Sequence, residues 1–489
     1  MPTHEAETLT SSAETLDDGV RRAEPFVWLS AAAVVTAVLL LAGLVVLLAG
    51  NSLRFFWPQP VVFLNASSVG QAGLLGVVLR RETPRDSIQE QLLVLRGGQE
   101  FFSSPVEWIS AQDIQSEERP RHAVTIERVD RGRLYGFLDA LDVRGERISL
   151  AALPPEEALR LFLAALERST SMSADQLRYR LRLSTGQIVE RPVASVSSLH
   201  FANAMSWSEK AIYFLQAIGR FLTESPRQSN VEGGVLTAIV GTVMLVLLMT
   251  IVVAPLGVTA AIYLNEYARG GPVTRLVRIA VNNLAGVPSI VYGVFGLGFF
   301  VYAIGGSLDS VFFADRLPAP TLGTPGLLWA SLTMALLTLP VVIVSTEEGL
   351  VRVPRTLREG SLALGATRAE TVWRVVLPSA LPAVLTGLIL AIARATGEVA
   401  PLILVGVAKY APGLPISAEF PYVHFDRQFM HLGFYIYDLG FQSPQLETVE
   451  GLVFATALLL VGIVLMLNLS AVILRGRLRE AFSVEEGFR

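Results

Sequence analysis

Apolar runs long enough to cross a membrane constrain this chain more than any other feature of its sequence. Residues 26–50 read FVWLSAAAVVTAVLLLAGLVVLLAG and contain no charged residue, and five further apolar runs follow residue 233. A helix needs about 20 consecutive apolar residues to span the hydrocarbon core of a bilayer. Charged residues make up only 17% of the chain, whereas soluble proteins carry about 25%. The sequence therefore predicts an α-helical polytopic membrane protein with six transmembrane helices.

The first run predicts an uncleaved anchor rather than a signal peptide. It exceeds the ~7–15 apolar residues of a signal peptide, and the segment that precedes it is acidic. We expect a disordered cytoplasmic tail at 1–25 and a second cytoplasmic tail at 476–489. The predicted membrane spans are 26–50, Leu236–Leu264, Ile279–Ile304, Pro325–Val344, Ser379–Val407 and Leu452–Leu474.

Residues 51–232 differ from the rest because they are rich in charge and alternate polar with apolar positions. The stretch VTIERVDRGRLYGF predicts a β-hairpin around Asp130 and Gly132. Pro154–Leu166 and Ser206–Leu222 predict helices, the second leading back to the membrane. The segment is predicted to be a mixed α/β periplasmic domain inserted after the first helix, followed by a transmembrane domain at 233–475.

Composition excludes several kinds of site. Cysteine is absent and the five histidines are scattered, so thiolate sites and disulfides are excluded and no metal site is expected. A phosphate-binding P-loop requires Gly-Lys followed by Ser or Thr. The chain has only two lysines, Lys210 and Lys409, and they follow Glu209 and Ala408 rather than glycine. No such loop exists here, so any ATP hydrolysis must come from another chain. Nothing in the sequence suggests nucleic-acid binding.

Arginine placement predicts the orientation in the membrane. Short loops rich in Arg face the cytoplasm, and Arg clusters lie at 265–278, at 347–378 and at the start of the last tail. The short loops at 305–324 and 408–451 carry few basic residues. This alternation places both termini in the cytoplasm and the inserted domain outside.

The stretch 347–378, EEGLVRVPRTLREGSLALGATRAETVWRVVLP, is more elaborate than a tether between membrane helices. Pro354 fits the first turn of a helix, and Gly365 fits the left-handed residue that commonly ends one. Thr367 to Glu370 forms a capping-box pattern, which starts a second helix. Two capped helices favour a docking element for a soluble partner, although an amphipathic hairpin lying on the membrane surface fits the spacing equally well.

This stretch resembles the EAA loop of bacterial ABC importer permeases, E-A-A-x3-G-x9-I-x-L-P. Here Gly and Ser replace the two Ala residues, and Val375 replaces Ile. In that family a coupling helix of this loop docks into a cleft on the cytoplasmic ATPase subunit. The resemblance assigns ATPase coupling to Glu359, Gly360, Ser361, Leu364, Gly365, Ala366, Thr367, Leu377 and Pro378.

Five blocks in order narrow the resemblance to PstA-type permeases of phosphate importers. They are GGVLTAIVGT, APLGVTAAIYLNEYA, NNLAGVPSIVYG, LALGAT and ARATGEVAPLILVG, within residues 233–480. The resemblance implies the fold of a type I ABC importer permease in the bacterial inner membrane. It also implies three partners besides membrane lipid: a second, PstC-like permease, a PstB-like ATPase dimer and a PstS-like periplasmic phosphate-binding protein. ATP and Mg²⁺ would belong to the ATPase, and this chain would be a non-catalytic subunit without a cofactor.

Arg394 and Glu398 lie one helical turn apart inside a predicted span. Each intramembrane charge costs about 2.5–3.5 kcal/mol, and an i,i+4 pair returns only about 0.2–0.5 kcal/mol. Either the pair fixes helix packing, or Arg394 binds phosphate oxygens along the translocation pathway. Asn282, Asn283 and Ser289 are further polar pathway candidates, although packing hydrogen bonds explain them as well.

Three other functions fit parts of the sequence. A permease for another oxyanion, such as sulfate or molybdate, would share the loop. A proton-coupled secondary transporter could use Arg394 and Glu398 as a relay, but it would not need a docking loop. A membrane-anchored sensor would use the domain at 51–232 to bind a ligand.

Overall fold

The computed structural model of the chain describes residues 3–66, 73–83, 89–98, 100–102, 104–169, 176–227, 230–411, 413–418, 420, 422–443 and 446–486. Within these residues it contains six helices that are long and apolar enough to cross a membrane, which confirms the predicted number. They are Val27–Phe56, Leu236–Tyr267, Ser289–Phe312, Leu327–Arg352, Arg368–Gly397 and Leu446–Arg477.

The N-terminal domain, which follows the first span, is built from antiparallel β-sheets. A five-stranded sheet has the order β4-β3-β2-β1-β5, and a second sheet has the order β10-β9-β7-β6-β11 with β8 paired to β7. The strands are β1 Val62–Ala66, β2 Leu74–Glu82, β3 Gln91–Leu95, β4 Val106–Ser110, β5 Ile114–Glu118, β6 Ala123–Arg128, β7 Gly132–Val143, β8 Glu146–Ser149, β9 Leu177–Arg182, β10 Ile188–Pro192, β11 Val196–His200, and the linker strands β12 Pro226–Arg227 and β13 Glu232–Gly233.

The local predictions for this domain are confirmed. β6 and β7 form the expected hairpin, in which Arg128 pairs with Gly132, and Gly132 has a φ of +74°. The first predicted helix is α2, Pro155–Ser169, whose Phe162 packs edge-on against Tyr179 of β9. The second predicted helix is α3, Trp207–Thr223, and Ser206 and Glu209 form a capping box at its start.

The remaining helices form the membrane bundle. α1, Thr3–Phe56, precedes the N-terminal domain. The others are α4 Leu236–Ile262, α5 Pro272–Leu284, α6 Ser289–Phe295, α7 Gly306–Phe312, α8 Leu327–Arg352, α9 Arg355–Ala363, α10 Arg368–Thr371, α11 Leu377–Gly397, α12 Ala400–Val405, α13 Leu432–Tyr437 and α14 Leu446–Glu486. π-Helical segments at Tyr263–Tyr267, Gly296–Gly305, Val372–Val376 and Asp438–Gln442 continue helices α4, α6, α10 and α13.

Close backbone contacts fix the centre of the bundle. A Cβ on Gly257 of α4 would lie 2.6 Å from a methyl carbon of Val342 in α8. A Cβ on Gly387 of α11 would lie 2.7 Å from the Cβ of Ser345, which is also in α8. Apolar side chains of these helices are buried around them, including Met249, Met334 and Ala391. Small residues allow this approach in the absence of a hydrophobic driving force between helices in lipid. We call the end of the bundle near the N-terminal domain the domain end, and the other the loop end.

Two spans that were predicted to be continuous helices are each divided into two helices. The span Ile279–Ile304 is divided, because α5 ends at Leu284 and α6 begins at Ser289 after a turn. Pro288 disfavours helical backbone in the residue before it, so a helix usually ends there. The span Ser379–Val407 is also divided, because α11 ends at Gly397 and α12 begins at Ala400.

Four further details of the predicted helices were wrong as well. The span Pro325–Val344 continues to Arg352, so residues 347–352 of the predicted loop are helical. The second loop helix is not separate, because α10 runs through a π-helical turn into α11. Residues 3–25 belong to α1 rather than to a disordered tail, and α14 continues to Glu486. Extending an existing helix adds one hydrogen bond per residue, which makes extension easier than initiation.

Candidate functional site

The loop end carries a helix-turn unit at residues 353–367, which we call the docking loop. α9 ends at Ala363, Leu364 is its C-terminal capping residue, and Gly365 follows with a φ of +89°, the left-handed backbone that commonly terminates a helix. Thr367 accepts a hydrogen bond from the backbone of Glu370, whose carboxylate accepts one in return. The predicted glycine turn and capping box are therefore present, and they fix the direction in which the chain re-enters the bundle.

An apolar side chain forms the tip of the docking loop. Leu364 is 91% exposed, and Glu359 and Gly360 are exposed on the same helix. Ser361 hydrogen-bonds Thr371 across the turn at 3.0 Å, and this contact holds the tip to the start of α10. The other predicted coupling residues form the base, where Ala366, Leu377 and Pro378 are half-buried. An apolar, projecting side chain of this kind is a candidate anchor for an interface.

The second site is the break between α11 and α12. Glu398 has extended backbone at the end of α11, with φ and ψ of −81° and 129°. Arg394 Nε lies 3.4 Å from Glu398 Oε1, and their side chains are 38% and 23% exposed. Broken membrane helices expose backbone and charge at the binding sites of many transporters. The sequence predicted this pair but not the break, for which Gly397 followed by Pro401 was the available signal.

The break packs directly against the third span. A Cβ on Gly293 would lie 2.8 Å from the Cα of Pro401, so only glycine allows this contact. Tyr292, the preceding residue, is buried and lies within electrostatic range of Arg394. Its hydroxyl donates a hydrogen bond of 2.6 Å to the carbonyl of Leu284, at the end of α5. Tyr292 is the site residue that sequence reasoning missed, because a tyrosine within an apolar run carries no distinctive pattern.

The weaker pathway candidates lie at the turn before α6. Asn282 and Asn283 are exposed near the end of α5, and Ser289 is half-buried at the start of α6. Among the described residues, no hydrogen bond or ion pair joins these three side chains to Arg394 or Glu398. Tyr292 lies between this turn and the region of Arg394. The candidates are therefore near one another but do not form a single connected site.

A cleft of about 1250 Å³ separates the N-terminal domain from the domain ends of α1 and α14. Its floor holds Glu127, which accepts hydrogen bonds from Arg133 at 3.2 Å and from Ser198 at 2.7 Å. Burial raises the pKa of Glu127, but Arg133, Arg220 and the Ser198 hydrogen bond outweigh this effect and lower it to about 2. Burial lowers the pKa of the neighbouring His200 to about 4, although Glu127 opposes the shift.

A buried polar joint ties the linker between the N-terminal domain and α4 to the bundle. Asn230, in left-handed backbone with a φ of +75°, donates from its amide to Asp438 at 3.1 Å and to the carbonyl of Lys409. Asp438 also pairs with the ammonium group of Lys409 at 2.9 Å, and only 2% of its side chain is exposed. Tyr435 donates to the carbonyl of Asn230. The linker is thus anchored rather than loose.

Comparisons with known proteins match the part of the chain that forms the membrane bundle. The family described as "Binding-protein-dependent transport system inner membrane component" matches residues 254–480. The phosphate transport system permease protein PstA of Mycobacterium leprae is 39% identical over 178 residues, 36% of this chain and 53% of that protein. PstA of Yersinia pestis is 32% identical over 256 residues, 52% of this chain and 77% of that protein. The chain spans little more than half the length of several such relatives.

A solved structure also aligns with half of the chain. An inward-facing form of the MetNI methionine ABC transporter is 19% identical, with a TM-score of 0.36, and the alignment covers 50% of this chain and 96% of the solved chain. At this score the superposition is loose, and the sequence matches carry the assignment. The family match at residues 254–480 lies outside the N-terminal domain.

Proposed function

Because this chain belongs to the family of binding-protein-dependent transport system inner membrane components, we propose that it is a PstA-type membrane subunit of an ATP-driven phosphate importer. The chain itself is non-catalytic. ATP and Mg²⁺ are bound and used by a separate, PstB-like ATPase dimer. A PstC-like second membrane subunit completes the pathway, and a PstS-like binding protein delivers phosphate from outside.

The observation that carries this proposal is the projecting tip of the docking loop. An isolated membrane protein gains nothing from a leucine that is 91% exposed on a rigid, capped turn. Insertion of Leu364 into a cleft on the ATPase would bury it and align the exposed Glu359 with the partner. Closure of the ATPase dimer would then displace α9, and the bundle would change access to the pathway.

The proposed pathway passes the break between α11 and α12. Arg394 offers a planar donor fork that suits phosphate oxygens. Glu398 holds this fork in place and keeps phosphate binding weak enough for release. Since the Arg394 side chain is 38% exposed in the single chain, the second membrane subunit supplies the opposite wall.

The same proposal sets the orientation. The docking loop and both termini lie in the cytoplasm, and the N-terminal domain lies outside, where it meets the binding protein or the cell envelope. Arg269, Arg275 and Arg278 lie between the second and third spans at the loop end, as the positive-inside rule expects. The chain then resides in the inner membrane as a multi-pass protein.

Reconstitution of the chain with its three partners in liposomes tests this function. We expect uptake of radiolabelled phosphate that requires ATP and is not competed by sulfate or molybdate. Leu364→Ala should weaken ATPase binding by about tenfold, as for a central interface anchor. Val351→Ala is the matched control, since Val351 is 70% exposed on α8 outside the docking loop. Full-rate phosphate transport by the chain alone, without nucleotide, would overturn the proposal.

A further inference from the structure

Arg358 precedes the exposed Glu359 on α9, but its side chain turns into the bundle and is only 19% exposed. Its guanidinium donates to the carbonyl of Val353 at 2.6 Å and to the carbonyl of Leu350 at 2.7 Å. These carbonyls belong to the end of α8, where a helix leaves its last acceptors without intrahelical partners. Arg358 therefore ties the docking helix to the end of α8.

The same guanidinium reaches a third element. Its Nη2 lies 2.8 Å from Glu266 Oε1, and the Glu266 side chain is only 14% exposed. Glu266 belongs to the π-helical turn that ends α4, and the amide of Asn265 also donates to it at 2.8 Å. Arg358 thus bridges α9, α8 and the continuation of α4 with one planar group, a geometry for which arginine is suited and lysine is not.

A second arginine supports this bridge from the other side. Arg278 of α5 donates to the carbonyl of Leu264 at 3.0 Å and lies 3.6 Å from Glu347 of α8. α4 and α8 are also in close contact at Gly257 and Val342. At the loop end, the two helices therefore form one body to which Arg358 attaches α9.

The chain between α8 and α9 is the place where such an attachment matters. Val353 and Pro354 have extended backbone, so no helical hydrogen bond runs from α8 into α9. Without a further tie, a displacement of α9 would be absorbed by rotation at these two residues. A joint that transmits motion needs a contact with a defined geometry on both sides.

We infer that Arg358, paired with Glu266, is a positioning residue that transmits displacement of the docking helix to α4 and α8. The inference rests on the proposed function. It goes beyond the EAA pattern, because neither residue lies within E-A-A-x3-G and the Glu266 contact comes from another loop. The pair acts through the helices and touches neither phosphate nor nucleotide.

The test measures coupling rather than activity alone. In the reconstituted four-component complex, phosphate uptake and ATP hydrolysis are recorded for the same vesicles. Glu266→Gln leaves Arg358 its carbonyl contacts but removes the ion pair. We expect phosphate transported per ATP to fall about 5-fold to 150-fold, the usual range of a coupling between sites, while ATP hydrolysis persists. Arg358→Lys should lower the ratio too, because an ammonium cannot hold the carboxylate and both carbonyls in one plane.

Glu348→Gln is the matched control. Glu348 pairs with Arg352 at 4.0 Å on α8, and both side chains are largely exposed, so the ratio should not change. An unchanged ratio in both Glu266→Gln and Arg358→Lys would overturn the inference while leaving the proposed function intact. Absence of ATP-dependent uptake in the wild-type complex would instead overturn the proposed function.

Discussion

Two of the arginine–glutamate pairs in the membrane bundle, Arg358–Glu266 and Arg394–Glu398, have surroundings that differ. Arg358 and Glu266 lie 2.8 Å apart, come from different elements and are mostly buried, and both accept or donate further hydrogen bonds. Arg394 and Glu398 lie 3.4 Å apart on one turn beside a helix break, and more of each side chain is exposed. Within the part of the chain that the structure describes, the guanidinium of the first pair makes three hydrogen bonds to the protein, whereas that of the second makes a single contact, to Glu398.

This difference distinguishes an arginine that stabilises the fold from one that is available to bind a ligand. A guanidinium has five donors, and a carboxylate accepts at two oxygens. Arg358 uses three of its donors for two carbonyls and a carboxylate, and its side chain is only 19% exposed, so it is poorly placed to bind a ligand. Among the described residues, Arg394 makes one contact of 3.4 Å, to Glu398, and 38% of its side chain is exposed. A charge inside a membrane that is retained without saturated contacts points to a ligand or a partner.

The largest effect should follow from removing the open arginine. We predict that Arg394→Gln lowers phosphate uptake by the assembled complex by about 100-fold or more, as for loss of a partner in a desolvated charge contact. Co-purification of the ATPase and the second membrane subunit should be unaffected, because the pair contributes little to packing. Uptake rates and subunit composition of the same preparation check both statements.

The double variant Arg394→Gln/Glu398→Gln distinguishes a pathway role from a structural one. A structural pair leaves no uncompensated charge when both members are neutralised, so uptake would recover. A pathway arginine is still missing from the double variant, and we expect uptake to stay as low as in the single variant. Recovery of phosphate uptake would mean that Arg394 and Glu398, like Arg358 and Glu266, have a structural role.

Stability should show the opposite ranking. Glu266→Gln leaves the mostly buried Arg358 without its carboxylate, which we expect to lower the free energy of unfolding by about 2 kcal/mol, below the ~3–5 kcal/mol of a fully buried pair. Glu398→Gln should cost less than about 1 kcal/mol, as for exposed pairs. Thermal unfolding of the purified chain in detergent compares the two. Equal losses would remove the distinction drawn between the pairs.

The sequence predicted the elements that local chemistry determines. The Gly365 turn, the Thr367 capping box and the β6–β7 hairpin depend on residues within a few positions of one another, and all three are present. The division of two spans was missed, because Pro288 and Gly397 are as compatible with kinked helices as with broken ones. The Arg358–Glu266 contact was also missed, since the two residues are 92 positions apart and nothing local links them.

The smallest predicted effect concerns a third ionic cluster, around Glu127 in the N-terminal domain. Glu127 contacts Arg133, Arg220 and Ser198, as Arg358 contacts several groups of the protein. We therefore expect this cluster to stabilise the fold rather than to bind a ligand. His200 lies against this cluster, and burial lowers its pKa from 6.5 to about 4. The folded chain therefore keeps His200 neutral at pH values where the unfolded chain already binds a proton.

Stability should then fall as pH decreases from about 6.5 to 4, with a slope of at most about 1.4 kcal/mol per pH unit from this residue. His200→Gln should reduce the slope in this window. His431, whose pKa burial also lowers to about 4, titrates in both the wild type and this variant and cancels in the comparison. The Glu127 contribution is lost only at lower pH, between about 4.5 and 2. Identical slopes in the wild type and in His200→Gln would mean that this cluster does not exclude water.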